Sequence, residues 1–135
     1  MIERIVSQRE LNRALLARQY LLERQQMSVS ALVSHLVGLQ AQIPNPPYIG
    51  LWTRLADFQR EELTRLMQEG QIVRVAMMRS TLMLMTAEDH QHFRTTIQPA
   101  LTRALAAFYG KRAKGLNIEK LLAAAKPFIE ETPRT

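Results

Sequence analysis

At 135 residues the chain is one ordinary domain, or one domain plus a piece of another. With 47% hydrophobic and 22% charged residues it has the composition of a soluble globular chain; it lacks cysteine, which excludes a disulfide framework and any Cys-based metal site. No apolar run is long enough to span a bilayer, and the net charge of +6 modestly favours a polyanionic partner.

The N-terminus, Met1-Ile2-Glu3-Arg4, has no secretory pattern, and together with the absence of cysteine this is compatible with a cytoplasmic location. Ser7-Gln8-Arg9-Glu10 fits a capping box, with Glu10 reaching back to Ser7. Leu11, Ala14, Leu15, Leu21 and Leu22 come next as an apolar stripe, predicting a first helix from about Gln8 to Arg24. Ser28 or Ser30 can cap a second helix, whose buried face is Leu32, Leu36 and Leu39.

That helix runs into Gly38-Leu39-Gln40-Ala41-Gln42-Ile43-Pro44-Asn45-Pro46-Pro47. Proline removes a helical donor and pushes the residue before it toward extended geometry, so the helix is predicted to end near Gln40 to Gln42, with Ile43 and Asn45 extended. Residues two apart diverge on a helix and share a face on a strand. If the chain unwinds here, Gln40 and Gln42 converge on one small volume.

Tyr48, Leu51, Trp52 and Leu55 repeat at helical spacing, and this places Trp52 in the core rather than free to stack a base. A further helix is predicted from Arg60 to Glu69, with acids in its first turn and Gly70 as its stop. From Ile72 to Met85 the period changes to two, giving a pair of strands with a turn near Met78-Arg79-Ser80. Thr86 and Asp89 then cap the longest helical stripe, Phe93 to Phe108, which contains Pro99 and ends at Gly110. Lys111, Arg112 and Lys114 form a basic segment, and Asn117 caps a last helix carrying Ile118, Leu121, Leu122, Ala125 and Ile129. Thr132-Pro133 would open another helix, so the sequence is read as a piece of a longer protein.

The fold class is therefore mainly α with a small β-hairpin. Three helices leading at once into a hairpin is the winged helix-turn-helix order, in which the helix before the hairpin often enters the major groove. Here that helix carries Glu61, Glu62 and Glu69, which oppose phosphate. Duplex DNA, if bound, is expected at Arg54, Arg74 and Arg79, and at Lys111 and Arg112; the alternative for each is a solubilising surface charge.

These residues carry a resemblance. Leu11 to Gln19, Gly38-Leu39-Gln40-Ala41-Gln42, Pro47 to Leu55, and Met78-Arg79-Ser80-Thr81-Leu82 leading to Thr86-Ala87-Glu88-Asp89 resemble blocks of the winged-helix family of AlkZ/YcaQ-like DNA glycosylases. The resemblance implies tandem winged-helix domains that embrace duplex DNA, excise alkylated bases and in some members unhook interstrand crosslinks. It implies that Gln40 and Gln42 are the catalytic pair, in a Gln-Ala-Gln variant of the family motif. It also implies a division into a first winged-helix domain with flanking helices, 1–110, and a linker with the start of a second, truncated one, 111–135. The resemblance implies later domains beyond residue 135, so residues 1–135 alone are expected to have little glycosylase activity. No metal and no cofactor are implied. Two departures stand out: Ser80 and Met83 occupy positions where the family often has Gly and His.

The chemistry fits two neutral amides. A base alkylated at a ring nitrogen is already cationic and leaves without a strong general acid. What remains is to position a water and to orient dipoles toward an oxocarbenium-like sugar. A glutamine carbonyl accepts from water and cannot ionise, so it orients rather than takes up a proton. Gln42 is expected to position the water and Gln40 to assist it. The competing expectations are a non-catalytic winged-helix DNA-binding module or regulator, in which both glutamines merely cap helix carbonyls or face solvent, and a protein-interaction role for the last helix.

Overall fold

The computed structural model describes residues 5–131. The sequence features at Met1 to Arg4 and at Thr132-Pro133 lie outside these residues. The chain divides into two compact units, 1–101 and 102–135.

In the first unit, helix α1 spans Gln8–Arg18. Ser7 opens it with the reciprocal capping box: Glu10 N–H donates to Ser7 Oγ at 3.3 Å, and Ser7 N–H donates to Glu10 Oε2 at 2.9 Å. The helix stops six residues before the predicted end. Tyr20 takes a left-handed conformation, φ 52°, and Leu21 N–H donates back to Leu16 O while Tyr20 N–H donates to Ala17 O. That pair of bonds satisfies the last carbonyls and turns the chain away. None of the residues of α1 is buried, so the predicted apolar stripe is open to solvent.

Helix α2, Val29–His35, is capped by Ser28, whose Oγ accepts from Ala31 N–H. It too ends early, well short of Gln40. Val37 sits at φ 56° and Gly38 at φ 109°, with Gly38 N–H donating to Val33 O and Val37 N–H to Ser34 O. The termination is therefore at Val37-Gly38, not at the prolines. A Cβ on Gly38 would stand 2.9 Å from Leu84 O and 2.9 Å from Met85 Cγ. Glycine is required here both for its backbone angle and for the approach of the chain to a strand.

The residues after Gly38 form that approach. Strand β1, Leu39–Gln40, joins β2, Ile72–Ala76, and β3, Leu82–Thr86, in an antiparallel sheet ordered β1-β3-β2. Between β2 and β3 a short 3-10 turn, Met78–Ser80, places Arg79 and Ser80 at φ 56° and 58°. The turn lies where the change of period predicts it.

Helix α3 spans Pro46–Trp52, shorter and earlier than the predicted Tyr48 to Leu55. Pro46 and Pro47 do not merely end the preceding segment; they occupy the first turn of α3, where a missing N–H costs nothing. Asn45 is correspondingly helical, φ −78° and ψ −37°, instead of extended. Helix α4, Arg60–Gln68, carries Glu61 and Glu62 in its first turn and ends at Gly70, φ 70°, in the same bond pattern that closes α1 and α2.

Paired residues across an antiparallel ladder share a face. One face of the sheet presents Ile72 and Leu84, which join Val29, Leu32, Val33, Ala41, Leu51, Leu55, Leu63 and Leu66 in the main core. The other presents Met83 and Met85, which with Met77 pack against Val75, Phe93 and Ile97. Phe93 and Ile97 belong to α5, Ala87–Tyr109, whose start is held by Thr86: Asp89 N–H donates to Thr86 Oγ1 at 3.1 Å and Thr86 Oγ1 donates to Asp89 Oδ2 at 2.6 Å.

A helix, a short strand, two helices and a hairpin make a mostly helical chain with a small three-stranded antiparallel sheet, compatible with a winged-helix arrangement. In the second unit, α6, Ile118–Glu131, is capped by Asn117, whose Oδ1 accepts from Lys120 N–H at 2.9 Å. The apolar side chains of α6 are exposed. Among the described residues no helix is long and apolar enough to cross a membrane.

Candidate functional site

Gln40 and Gln42 lie at the edge of the sheet. Gln40 is paired with Met83, and Ala41 N–H continues the ladder by donating to Leu82 O at 2.8 Å. Ala41 is buried while both glutamines are exposed. Gln40 belongs to β1 and Gln42 to the bend that follows it, rather than to a helix coming apart.

Two long-range contacts fix this segment. Arg74, on β2, reaches across β3: its Nε donates to Ala41 O at 2.7 Å and its Nη2 to Gln42 O at 3.1 Å. The Leu82 N–H donates to Gln42 Oε1 at 2.7 Å. The side-chain oxygen of Gln42 thus completes the ladder where the backbone has turned away. A carbonyl oxygen has two lone pairs, so one remains for another donor. Gln40 faces Met83 across the strand pair, and Met83 in turn receives a 3.6 Å contact from Thr81 Oγ1 to its sulfur. Nothing ionisable stands at position 83.

The five cations read from the sequence have different surroundings. Arg74 is the clamp just described. Arg54 is half-buried and donates from Nε to Gln19 O at 2.7 Å and from Nη1 to Gly50 O at 2.8 Å. Desolvation lowers its pKa from the usual guanidinium value. It ties the end of α1 to α3. Arg79 stands exposed at the tip of the β2–β3 turn with no ion pair or side-chain hydrogen bond among the described residues. Lys111 and Arg112 are exposed in the turn between α5 and α6, in the second unit. On α4, Arg65 pairs with Glu69 at 2.8 Å, which leaves Arg60 at its first turn as the cation of that helix without an ion pair among the described residues.

The position of Trp52 overturns its sequence reading. It is 55% exposed and carries the Arg24 guanidinium over its ring at 4.3 Å. The helical spacing is real, but α3 ends at Trp52, and its core contact is made by Leu51 instead. Trp52 joins Asn45, Tyr48, Ile49, Phe58 and Arg60 in lining an open groove of about 460 Å³. Periodicity could not reveal the groove; three aromatic residues within eleven positions are the only signal.

Comparison with protein families supplies the remaining observation. The model of the family described as DNA glycosylase AlkZ-like matches residues 33–135, about three-quarters of the chain. The chain belongs to the AlkZ-like family. The match begins inside α2 and takes in the Gln40 to Gln42 segment, the sheet and both later helices. No curated protein and no solved structure matches the chain. Membership of the AlkZ-like family relates its function to DNA repair by glycosylases.

Proposed function

We propose that this chain carries the base-excising site of a DNA glycosylase acting on alkylated bases, or on crosslinks made through them, in duplex DNA. The observation that carries this reading is the treatment of Gln42: its main chain is held by Arg74 and its side-chain oxygen by Leu82 N–H. A solvent-exposed glutamine tied down at both ends is pre-organised in a way that a solubilising residue is not.

The chemistry rests on that geometry. The second lone pair of Gln42 Oε1 accepts a hydrogen bond from the attacking water, and the Leu82 N–H keeps the amide from rotating away. The glycosidic C–N bond breaks with its electron pair going to the cationic base, which leaves neutral. The water oxygen bonds to the anomeric carbon, and its proton passes to solvent. Gln40, exposed two residues earlier, orients the water or the adjoining sugar–phosphate. Neither glutamine takes up the proton, so the site is confined to bases that leave easily. Arg74 acts from behind the site by holding the Ala41 and Gln42 carbonyls, while Arg54 ties the end of α1 to α3. Arg79, Lys111 and Arg112 meet phosphate, each as a salt-sensitive contact. Residues 111–135 are a linker and the start of a further winged-helix domain that completes the DNA enclosure, and the location is cytoplasmic.

A second reading is a non-catalytic DNA-binding module, favoured by the apolar Met83 opposite Gln40. One assay separates the two. The intact gene product is incubated with duplex DNA carrying N7-alkylated guanine. Base release that is lost in Gln42→Ala and retained in Lys120→Ala supports the enzyme. Salt-sensitive binding with no release supports the module.

A further inference from the structure

The groove beside α3 is separate from the glutamine segment and has its own chemistry. Tyr48, Trp52 and Phe58 supply three aromatic rings. Tyr48 is held in place by a 3.2 Å hydrogen bond between its hydroxyl and Thr64 Oγ1, and Phe58 packs on the main core. Two guanidiniums sit over the rings: Arg24 at 4.3 Å from the Trp52 centroid and Arg60 at 5.2 Å from that of Tyr48. Neither arginine has an ion-pair partner among the described residues. No carboxylate lines the groove; Asp57, Glu61 and Glu62, the acids nearest in sequence, are not among its lining residues. The side-chain amide of Asn45 has no hydrogen bond among the described residues and opens the groove three positions after Gln42.

One exposed ring, two half-buried ones and two guanidiniums without ion pairs suit a flat, uncharged ring attached to anionic groups. An aliphatic peptide side chain would leave both arginines and Asn45 without a role. We propose that this groove takes one unpaired nucleobase, stacked on Trp52 in the place the Arg24 guanidinium now occupies, with Asn45 hydrogen-bonding its edge and the displaced Arg24 together with Arg60 meeting the flanking phosphates. Base–aromatic stacking is tolerant of base identity, and asparagine offers both a donor and an acceptor to a base edge. This rests on the DNA-binding reading above but not on catalysis by the glutamines. The groove begins where the glutamine segment ends, so an opened base pair at one is within a few residues of the other along the chain.

Trp52 is the only tryptophan in the sequence, so its emission reports on the groove directly. The 135-residue chain is titrated with an undamaged duplex carrying a single bulged thymidine, and with the same duplex fully paired. The bulged duplex is expected to quench Trp52 emission and to bind about tenfold more tightly than the paired one. By anisotropy of the labelled duplexes, Trp52→Ala and Asn45→Ala are expected to abolish that preference, and Trp52→Phe to keep most of it. Circular dichroism identical to the parent shows that the exposed Trp52→Ala site has not cost the fold. Equal affinity for the two duplexes overturns the proposal, as does a preference that survives Trp52→Ala. Because the duplexes hold no alkylated base, failure here leaves base release intact, and absence of base release leaves this measurement intact.

Discussion

Residues 38–42 and residues 118–131 obtain their order from different places. The first segment is held almost wholly from a distance. Gly38 fits against β3, Leu39 and Gln40 pair with Leu84 and Met83, and Arg74 and Leu82 fasten Ala41 and Gln42. The second is a helix made of its own local bonds, opened by Asn117 and laced by a Lys126–Glu130 contact at 3.8 Å, with its leucines and isoleucines in solvent. Long-range contacts fix atoms to within the tolerance that chemistry requires; local bonds fix only a rod. The contrast places the positioned amides in the first unit and leaves the second with an apolar stripe and basic residues.

Substitutions sharpen this difference, beginning with the largest effect. Leu84 lies in the middle strand, 2% exposed, and Leu84→Ala is expected to lower unfolding free energy by about 2–5 kcal/mol in a denaturant titration. A loss below about 1 kcal/mol would mean that the sheet is not the centre of the core. Gly38→Ala combines an unfavourable backbone angle with a clash against β3, and about 2–4 kcal/mol should be lost. Its diagnostic is local: hydrogen exchange at Ala41, whose N–H bonds to Leu82 O, should speed up more than at α4. Arg74→Ala removes two bonds to main-chain carbonyls, costing about 1–3 kcal/mol, and should reduce base release more than Arg79→Ala does at low salt. Equal losses would show that Arg74 acts on DNA rather than on the glutamine segment. Leu122→Ala, at a site 62% exposed, should change stability by less than about 0.5 kcal/mol. A larger loss would show that α6 is covered in solution.

Much of this organisation is legible in the sequence wherever it is written locally. Ser7 and Glu10, Thr86 and Asp89, Gly70 and Asn117 each mark a helix end with a side chain or glycine that does the capping itself. The hairpin shows through the change of period. The features that stay hidden depend on partners far away. Tyr20 and Val37 hold left-handed conformations that neither residue favours, so nothing at those positions announces the ends of α1 and α2. The two-residue β1 has no pattern of its own, and its partner strand lies more than forty positions on. The glutamines stand out in the sequence, but the strand and bend that hold them do not. The hold that Arg74 and Leu82 exert on Gln42 carries no local signature at all.

The brevity of β1 has a further consequence for how the protein behaves in a crowded solution. A sheet of order β1-β3-β2 leaves two open sides, each able in principle to recruit a strand from a neighbouring molecule. On the glutamine side the ladder ends within three residues, Gln42's own amide fills the next donor, and Pro44, Pro46 and Pro47 come after it without N–H groups to offer. The same turn that presents the amides to solvent thus gives an incoming chain no register to copy, and the exposed edge can serve a ligand without seeding fibres.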